Sequence, residues 1–299
     1  MRENKLLITT LGIIVSIIII FISASLIIGN EYYEAAKANY YEKNLKNMSS
    51  LEQFTTLLSL IVYGAKGTLV IILFISIIQY LIAVPLGIYA TNKNGIFKLL
   101  INMLNGFFSR IPPIISAIIF INLPFLIFSN GRYLWAILIL AFIGVGRVSK
   151  RIYNESMEAS SSERVIIGKR SGYRGFYLLL YFVFPMILPS ILYNFFKDLG
   201  KTTALLAQLG IFNILVSKTI IDNEGQGFGQ LMNTEYNWTT ILGNTTRVVV
   251  HAPLAPLMPI LAFVITITIF NMLGDGVRSY YKNKVNTPTT TSHSMAEPI

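Results

Sequence analysis

Long runs of apolar residues, separated by polar segments, divide the chain into six candidate membrane spans. Each run holds roughly 20 residues with few charges, the length that a helix needs to cross the hydrocarbon core of a bilayer. The pattern therefore predicts an all-α polytopic membrane protein with about six transmembrane helices. The runs are Leu6–Ile28, Thr68–Ala90, Pro112–Phe128, Tyr133–Val148, Phe176–Phe196 and Ala255–Leu273.

The segments around these runs predict the remaining organisation. The first run is too long for a signal-peptide core and has no small-residue cleavage site after it, which favours an uncleaved anchor. Residues 1–56 then form the anchor and an extracytoplasmic loop, 57–278 the main membrane domain, and 279–299 a disordered tail rich in Thr, Ser and Pro. We also expect an amphipathic helix at Phe97–Arg110, a broken or re-entrant continuation at Ala204–Val216, and a polar external loop at Ser217–His251.

Composition supports the membrane prediction and removes several functional classes. The 299 residues are 54% hydrophobic and only 13% charged, about half the charged share of a soluble domain. A water-soluble globule would have to expose apolar patches larger than soluble proteins tolerate. The sequence has no cysteine, which excludes a disulfide framework, a thiolate metal site and a cysteine nucleophile.

The distribution of Lys and Arg predicts the orientation in the membrane. The net charge is +10, and excess positive charge in a membrane protein gathers on the cytoplasmic side. With a cytoplasmic N-terminus, fifteen Lys and Arg fall in cytoplasmic segments and seven in external ones. The sequence therefore predicts that both termini are cytoplasmic.

Sequence motifs for catalysis are weak. Gly200-Lys201-Thr202-Thr203 resembles the end of a phosphate-binding loop, but Phe195 stands where that loop needs its first glycine. The alternating glycines near residue 227 fall short of a dinucleotide fingerprint, and the two histidines are isolated. We therefore expect no catalytic site, no bound cofactor, no metal and no nucleic-acid partner.

A short charged sequence follows the fifth apolar run. Asp198 and Lys201 are three residues apart, so they can pair on one face of a helix. Charges at membrane depth are costly unless paired or wet, and they then tend to mark a translocation pathway. About 30 Å of helix separates Lys197 from the start of the run, which favours instead that the three charges snorkel at the outer interface. Both alternatives stay open.

The polar segment Glu155–Arg174 is the strongest local signal. It predicts a short helix at Ser161–Ser171 that ends at Gly172, a suitable residue for a helix C-cap. One interpretation is a solvated basic loop that only sets topology. The other is a docking helix for a soluble partner.

Several motifs, taken in their order along the chain, resemble the motifs of one protein family. Gly172 and Pro185 are thirteen residues apart, with Pro189 following. Two motifs lie before them, Tyr63-Gly-Ala-Lys-Gly-Thr68 and Arg110-Ile-Pro-Pro113. Two features lie after them, Trp238 and Asn271-Met-Leu-Gly-Asp-Gly-Val-Arg278. The chain is thereby similar to the permease subunits of ABC importers, in the dipeptide, oligopeptide and nickel branch. It departs from the family's glutamate–alanine–alanine signature, because Ile166, Ile167 and Gly168 stand at that triplet and Phe182 replaces a usual histidine.

The resemblance implies a type I ABC importer permease fold and a set of partners. These are a second permease, two cytoplasmic ATPases that carry ATP and Mg, and an extracytoplasmic binding protein that delivers peptides, nickel or a metal chelate. The cytoplasmic loop at 149–175 would couple to an ATPase through Glu155, Glu163, Val165, Ile166, Ile167, Arg170, Gly172 and Arg174. The signature positions would be Pro185, Pro189 and a tight turn at Gly274-Asp275-Gly276, with Asp275 capping the last helix or meeting Arg278.

Two other functions stay open. A secondary transporter driven by an ion gradient would need paired acids or an interrupted-helix repeat at the midplane. The sequence shows no internal repeat and one candidate charge cluster. A membrane scaffold or sensor, whose loop docks a partner without transport, is compatible with the altered triplet.

Overall fold

The computed structural model describes residues 50–91, 95–127, 129, 131–214, 218–221, 230–233, 237–247, 249–250 and 252–286. The predicted anchor Leu6–Ile28, the glycines near residue 227, both histidines and the tail from residue 287 lie outside this part of the chain. The described residues form a bundle of α-helices with one short pair of strands.

The helices and strands are numbered in chain order. They are α1 Ser50–Tyr89, α2 Gly95–Phe108, α3 Pro113–Ile121, α4 Pro124–Ile127, α5 Arg132–Ser160, α6 Glu163–Arg170, α7 Gly175–Leu178, a π-helix at Leu179–Val183, α8 Phe184–Ile211, β1 Lys218–Ile221, β2 Gln230–Asn233, α9 Trp238–Arg247 and α10 Leu257–Asn286.

Four helical stretches of the described chain are long and apolar enough to cross a membrane: Glu52–Tyr89, Arg132–Ser160, Gly175–Ile211 and Leu257–Lys282. A fifth crossing results if α2 and α3, which meet at a bend of 94°, act together as one broken span. The faces that these helices leave uncovered are apolar, as a lipid or protein neighbour requires; on α1 they include Val70, Phe74, Ile77 and Leu81. The chain is therefore an all-α multi-pass membrane protein.

The predicted third span is not one helix. The run Pro112–Phe128 divides into α3 and the four-residue α4, because Asn122 ends α3 and Pro124 begins the next helix. The amide of Asn122 donates to the carbonyl oxygen of Ile118 at 2.8 Å and satisfies one of the last carbonyls of α3. The amphipathic helix predicted at Phe97–Arg110 is confirmed as α2.

The long helices extend beyond the apolar runs that predicted them. Helix α1 begins at Ser50 instead of Thr68, and α5 continues to Ser160 instead of ending near Val148. Helix α8 runs to Ile211, so the predicted break after Phe196 is absent, and α10 runs through the predicted turn to Asn286. Polar residues inside these helices find partners on neighbouring helices, which keeps the helices intact where hydropathy alone predicts an end.

The entry to α8 contains a local irregularity next to a proline. Pro185 lacks an N–H and cannot continue the normal hydrogen-bond ladder, and the turn before it, Leu179–Val183, is a π-helix. Pro189 lies inside the helix and does not end it. The stretch from Gly175 to Ile211 is thus one helical path that begins beside α6.

Two helix pairs approach closely at glycines. A Cβ at Gly144 of α5 would lie 2.5 Å from the side chain of Gln79 on α1, so only glycine leaves room for that amide. A Cβ at Gly274 of α10 would lie 3.2 Å from the carbonyl oxygen of Tyr193 on α8. The bundle therefore contains an α1–α5 pair and an α8–α10 pair, each tightly packed.

The described residues of the segment predicted as a polar external loop form two strands and a buried helix. Strands β1 and β2 pair antiparallel, with Lys218 opposite Asn233. Helix α9 lies in the core, where the indole N–H of Trp238 donates to the carbonyl oxygen of Ile61 at 2.7 Å. The backbone N–H of Trp238 donates to Thr68 Oγ1 at 2.9 Å. These contacts attach α9 to α1 and correct the prediction of a simple loop.

Candidate docking helix and buried charge cluster

Helix α6 is a short helix between two long ones, and it lies inside the predicted range Ser161–Ser171. Its eight residues span about 12 Å. Ser162 precedes the helix in extended conformation, and its hydroxyl donates to the carbonyl oxygen of Ala159 at 2.6 Å, which fixes the junction with α5. The helix dipole is complemented at both ends, by Glu163 in the first turn and by Lys169 and Arg170 in the last.

The two faces of α6 differ. Val165 is fully buried and packs with Ile152 and Ala159 of α5 and with Val183. Gly168 lies on the same side, where a Cβ would come within 2.8 Å of the ring of Phe182. Ile166 and Ile167 are 40% and 53% exposed. Of the three apolar residues predicted to dock a partner, two are accessible and Val165 serves the chain's own core.

The junction after α6 needs glycine. Gly172 has φ +91°, in the left-handed region where side chains are strained, and nothing lies near the position of its Cβ. The backbone N–H of Gly172 donates to the carbonyl oxygen of Lys169, and that of Tyr173 to Gly168. Arg174 is extended and exposed, and it leads into α7. The predicted C-cap position is thus found at Gly172.

The predicted coupling residues do not form one cluster. Glu163, Arg170 and Arg174 are exposed on or after α6. Glu155 lies instead within α5, half-buried, and its Oε1 accepts from the side-chain amide of Asn194 at 3.3 Å. The predicted loop 149–175 therefore begins as helix: α5 occupies it up to Ser160.

A cluster of charged and polar side chains joins three long helices in the interior. Asp198 of α8 is 5% exposed. Its Oδ2 accepts from the hydroxyl of Tyr80 on α1 at 2.7 Å and from the guanidinium of Arg151 on α5 at 2.5 Å. Its Oδ1 accepts from Lys201 Nζ at 2.8 Å. We call Tyr80, Arg151, Asp198 and Lys201 the charge cluster.

The charge cluster pairs both carboxylate oxygens of Asp198, whereas Nε of Arg151 is buried without a hydrogen-bond partner among the described residues. Arg151 also donates to the hydroxyl of Tyr80 at 3.1 Å, so these three groups form a closed ring of contacts. The ring of Tyr80 packs edge-on against Phe195, with centroids 5.1 Å apart. A buried carboxylate is tolerated only with such partners, and removing one leaves an uncompensated charge.

The structure decides how the three charges near residue 198 are arranged. The predicted pair of Asp198 and Lys201 is present. Asp198 lies well inside a continuous helix and is covered by protein, so it does not snorkel at the end of a span. Lys197 faces elsewhere and contacts Asp275 of α10, with Nζ 2.9 Å from Oδ1. A role of these residues in a translocation path stays a prediction.

The predicted turn at Gly274-Asp275-Gly276 is wrong, because α10 continues through it to Asn286. Asp275 pairs with Lys197 instead of capping a helix end or meeting Arg278. The guanidinium of Arg278 lies over the ring of Tyr193 at 5.5 Å. This signature therefore makes the α8–α10 contact, and the first eight residues of the predicted disordered tail are helical.

The sequence motifs do not point to Tyr80 or Arg151. Tyr80 lies in an apolar run without any local signal, and the charge of Arg151 by itself does not indicate a partner in the interior. Among the residues that the structure describes, no group of three or more His, Asp or Glu side chains could hold a metal ion. The geometry on the page is thus a short helix with two exposed isoleucines and a buried ionic contact between α1, α5 and α8.

Comparison with known proteins identifies relatives at low identity. No family model matches the sequence. The chain is 23% identical over 286 residues to the dipeptide transport system permease protein DppC of Alkalihalophilus pseudofirmus, covering 93% of this chain and 86% of the relative. It is also 23% identical over 222 residues to the peptide transport system permease protein SapC of Escherichia coli and of Shigella flexneri, covering 74% of this chain and 68% of each relative.

Proposed function

We propose that this multi-pass cell-membrane protein is the pore-forming permease subunit of an ATP-driven ABC importer for peptides. Its relatives are permeases of peptide transport systems and confirm the resemblance seen in its motifs. The observation that carries the proposal is helix α6, which presents Ile166 and Ile167 outward between two long membrane helices. A short helix with exposed apolar residues suits a groove on a soluble partner. That partner would be one of two ATPase subunits.

The connections of α6 support a role as a lever. Val165 and Gly168 hold its inner face against α5, Phe182 and Val183. The Ser162 hydroxyl bridges to α5 and to Met186 of α8. Because both neighbouring long helices are attached at α6, a displacement of this helix would move α5 and α8 together.

The remaining parts of the importer would be other chains. A second permease would cover apolar helix faces and complete the pore, and an extracytoplasmic binding protein would deliver substrate. ATP and Mg would bind only to the ATPases. Nucleotide would bias the permease pair between inward-open and outward-open states. This arrangement requires α6 on the cytoplasmic side, as the Lys and Arg distribution predicts. The cytoplasmic residues still outnumber the external ones when the four that lie in α5, Arg132, Arg147, Lys150 and Arg151, are left out of the count.

Peptides are the substrate class that the relatives favour. Both kinds of relative carry dipeptide or peptide transport in their names. Nickel or a metal chelate, the other class that the resemblance implies, is named by neither kind of relative.

The test uses the complex purified gently from its native cells through a tag on this chain. We expect a second permease and ATPase subunits to co-purify, and peptide with its binding protein to stimulate ATP hydrolysis. Charge reversal at Glu163 combined with Gly172→Pro should abolish this stimulation, because proline cannot adopt the φ of +91° at residue 172. The chain should still be found in the membrane at normal levels.

Gly106→Ala is the matched control, since Gly106 lies within α2 with nothing near its Cβ position. It should leave the stimulation intact. Unchanged stimulation in the Glu163 and Gly172 double variant would dismiss α6 as the lever. A preparation free of ATPase, under conditions where a control importer stays whole, would favour a secondary transporter or a scaffold.

A further inference from the structure

Arg147 is a cation without a counter-ion among the described residues. It lies in α5, a helix long and apolar enough to cross the membrane, at the end of the apolar run Tyr133–Val148. Its side chain is half-buried and makes no ion pair or hydrogen bond to the residues that the structure describes. A charged side chain that is partly removed from water is costly unless it faces water or a ligand.

Arg147 faces a small polar cavity. The cavity has a volume of about 60 Å³ and lies between α1, α3, α5 and α8. Its polar lining comes from Gln79, Arg147, Asp198, Lys201 and Thr202, and its apolar wall includes Ile75 and Leu205. The volume corresponds to about two waters or one carboxylate group. Two larger cavities beside Tyr89 are lined mainly by apolar side chains.

The positive charges that line this cavity outnumber the negative ones, and Arg147 has no acidic partner there. Asp198 is its only acid among the lining residues, and both of its oxygens already accept from the charge cluster. Lys201 remains 56% exposed while paired, so its ammonium can also reach a ligand. Arg147 is then a guanidinium without a counter-ion, and its planar fork matches a carboxylate in two parallel hydrogen bonds.

Gln79 lies at the cavity where α1 and α5 pack closely. The residue is 6% exposed, and its side chain occupies the space that glycine leaves at residue 144. An amide can donate to a carboxylate oxygen. The cavity thus combines two cations, one acid and the buried polar residues Gln79 and Thr202 from three helices.

We propose that this cavity is a subsite for the C-terminal carboxylate of a transported peptide, with Arg147 as its main ligand and Lys201 and Gln79 beside it. The inference rests on the proposed function, because it needs peptide to pass through this chain. It adds that the permease itself recognises the one negative group that every unmodified peptide carries. Side chains of the peptide would extend away from the cavity, which is too small to admit them.

The test measures uptake into vesicles that contain the whole importer with its binding protein. One labelled tripeptide is supplied with a free C-terminal carboxylate, and the same tripeptide is supplied as its C-terminal amide. We expect Arg147→Gln to lower uptake of the free peptide about tenfold relative to uptake of the amide, as loss of a hydrogen bond between charged groups implies. Arg147→Lys keeps the charge but not the fork and should show a smaller loss.

The ratio of the two uptake rates in one preparation is insensitive to the amount of folded protein, and selection by the binding protein cancels between variants. Lys98→Gln, which removes an exposed cation from α2, should leave the ratio unchanged. An equal loss for both peptides in Arg147→Gln, or no loss, would overturn the subsite while leaving the importer in place. Absence of uptake of either peptide by the unaltered complex would overturn the proposed function and the subsite with it.

Discussion

Helix α6 and the charge cluster show two opposite ways of using side chains in the same pair of helices. Helix α6 buries one apolar anchor, Val165, and leaves Ile166 and Ile167 accessible. The charge cluster buries Asp198 under partners from three helices. The difference is that α6 leaves apolar side chains free for the proposed contact with an ATPase, whereas the cluster joins α1, α5 and α8 within the chain. Both α6 and the charge cluster contact α5 and α8, so a movement of α6 that shifts these two helices would also change the contacts of the cluster.

The largest expected effect comes from breaking the cluster. Asp198→Ala removes the acceptor shared by Tyr80, Arg151 and Lys201 and leaves Arg151 as a charge without compensation. Loss of one partner of a buried pair costs about 3–5 kcal/mol. The measurement is the free energy of unfolding of the purified chain in detergent, followed by chemical denaturation.

Lys201→Ala is the control, because it removes a cluster member whose side chain is 56% exposed. Exposed partners contribute about 1 kcal/mol or less. An equal loss of free energy in both variants would show that the buried contacts of Asp198 with Tyr80 and Arg151 do not hold the three helices together.

Local signals predicted α6 and the pair of Asp198 and Lys201, but could not predict the other two partners of Asp198 in the charge cluster. Ser162, the charges of its first and last turns and Gly172 are neighbours in sequence, so cap and charge patterns show the helix directly. The partners of Asp198 are far away in the chain: Arg151 lies 47 residues and Tyr80 118 residues distant. No pattern in a short window reports such a pairing.

The same limitation explains the helix ends. Hydropathy places the end of α5 near Val148, since Arg147 and Arg151 are charged, but Arg151 is compensated by Asp198 and the helix continues. Likewise Gly274-Asp275-Gly276 has the composition of a turn. Contact with Tyr193 and Lys197 of α8 makes it part of a helix interface instead. Tertiary partners override local preference at both places.

The second largest expected effect is a difference in stability between substitutions on the buried and on the exposed face of α6. Val165→Asp and Ile167→Asp place the same carboxylate two residues apart on one short helix. Val165→Asp, at the buried position, should release α6 from the core, because the new carboxylate can then reach water. The free energy of unfolding should fall by about 2 kcal/mol, the packing energy of a buried valine. The exposed site should change the free energy of unfolding by less than about 0.5 kcal/mol.

The order should reverse in the assembled importer. Ile167→Asp would put a charge into the proposed docking contact and should reduce co-purification of the ATPase strongly, although the chain itself is stable. Normal ATPase binding by Ile167→Asp would show that the exposed face of α6 is not the docking surface. A stable Val165→Asp chain would show that α6 is not anchored to the core.

The smallest expected effect is the coupling energy of an exposed Lys–Asp pair, which can be compared with the cost of breaking the buried charge cluster. Lys197 and Asp275 join α8 and α10 with Nζ 2.9 Å from Oδ1, but their side chains are 22% and 63% exposed. A double-mutant cycle with Lys197→Ala and Asp275→Ala in the isolated chain should give a coupling energy below about 1 kcal/mol, because water and salt screen the pair. The same cycle in the assembled complex tests the surroundings of the pair. A coupling that stays small means that Asp275 remains exposed, whereas a rise above about 2 kcal/mol means that the second permease covers it and makes it as costly to break as the buried cluster.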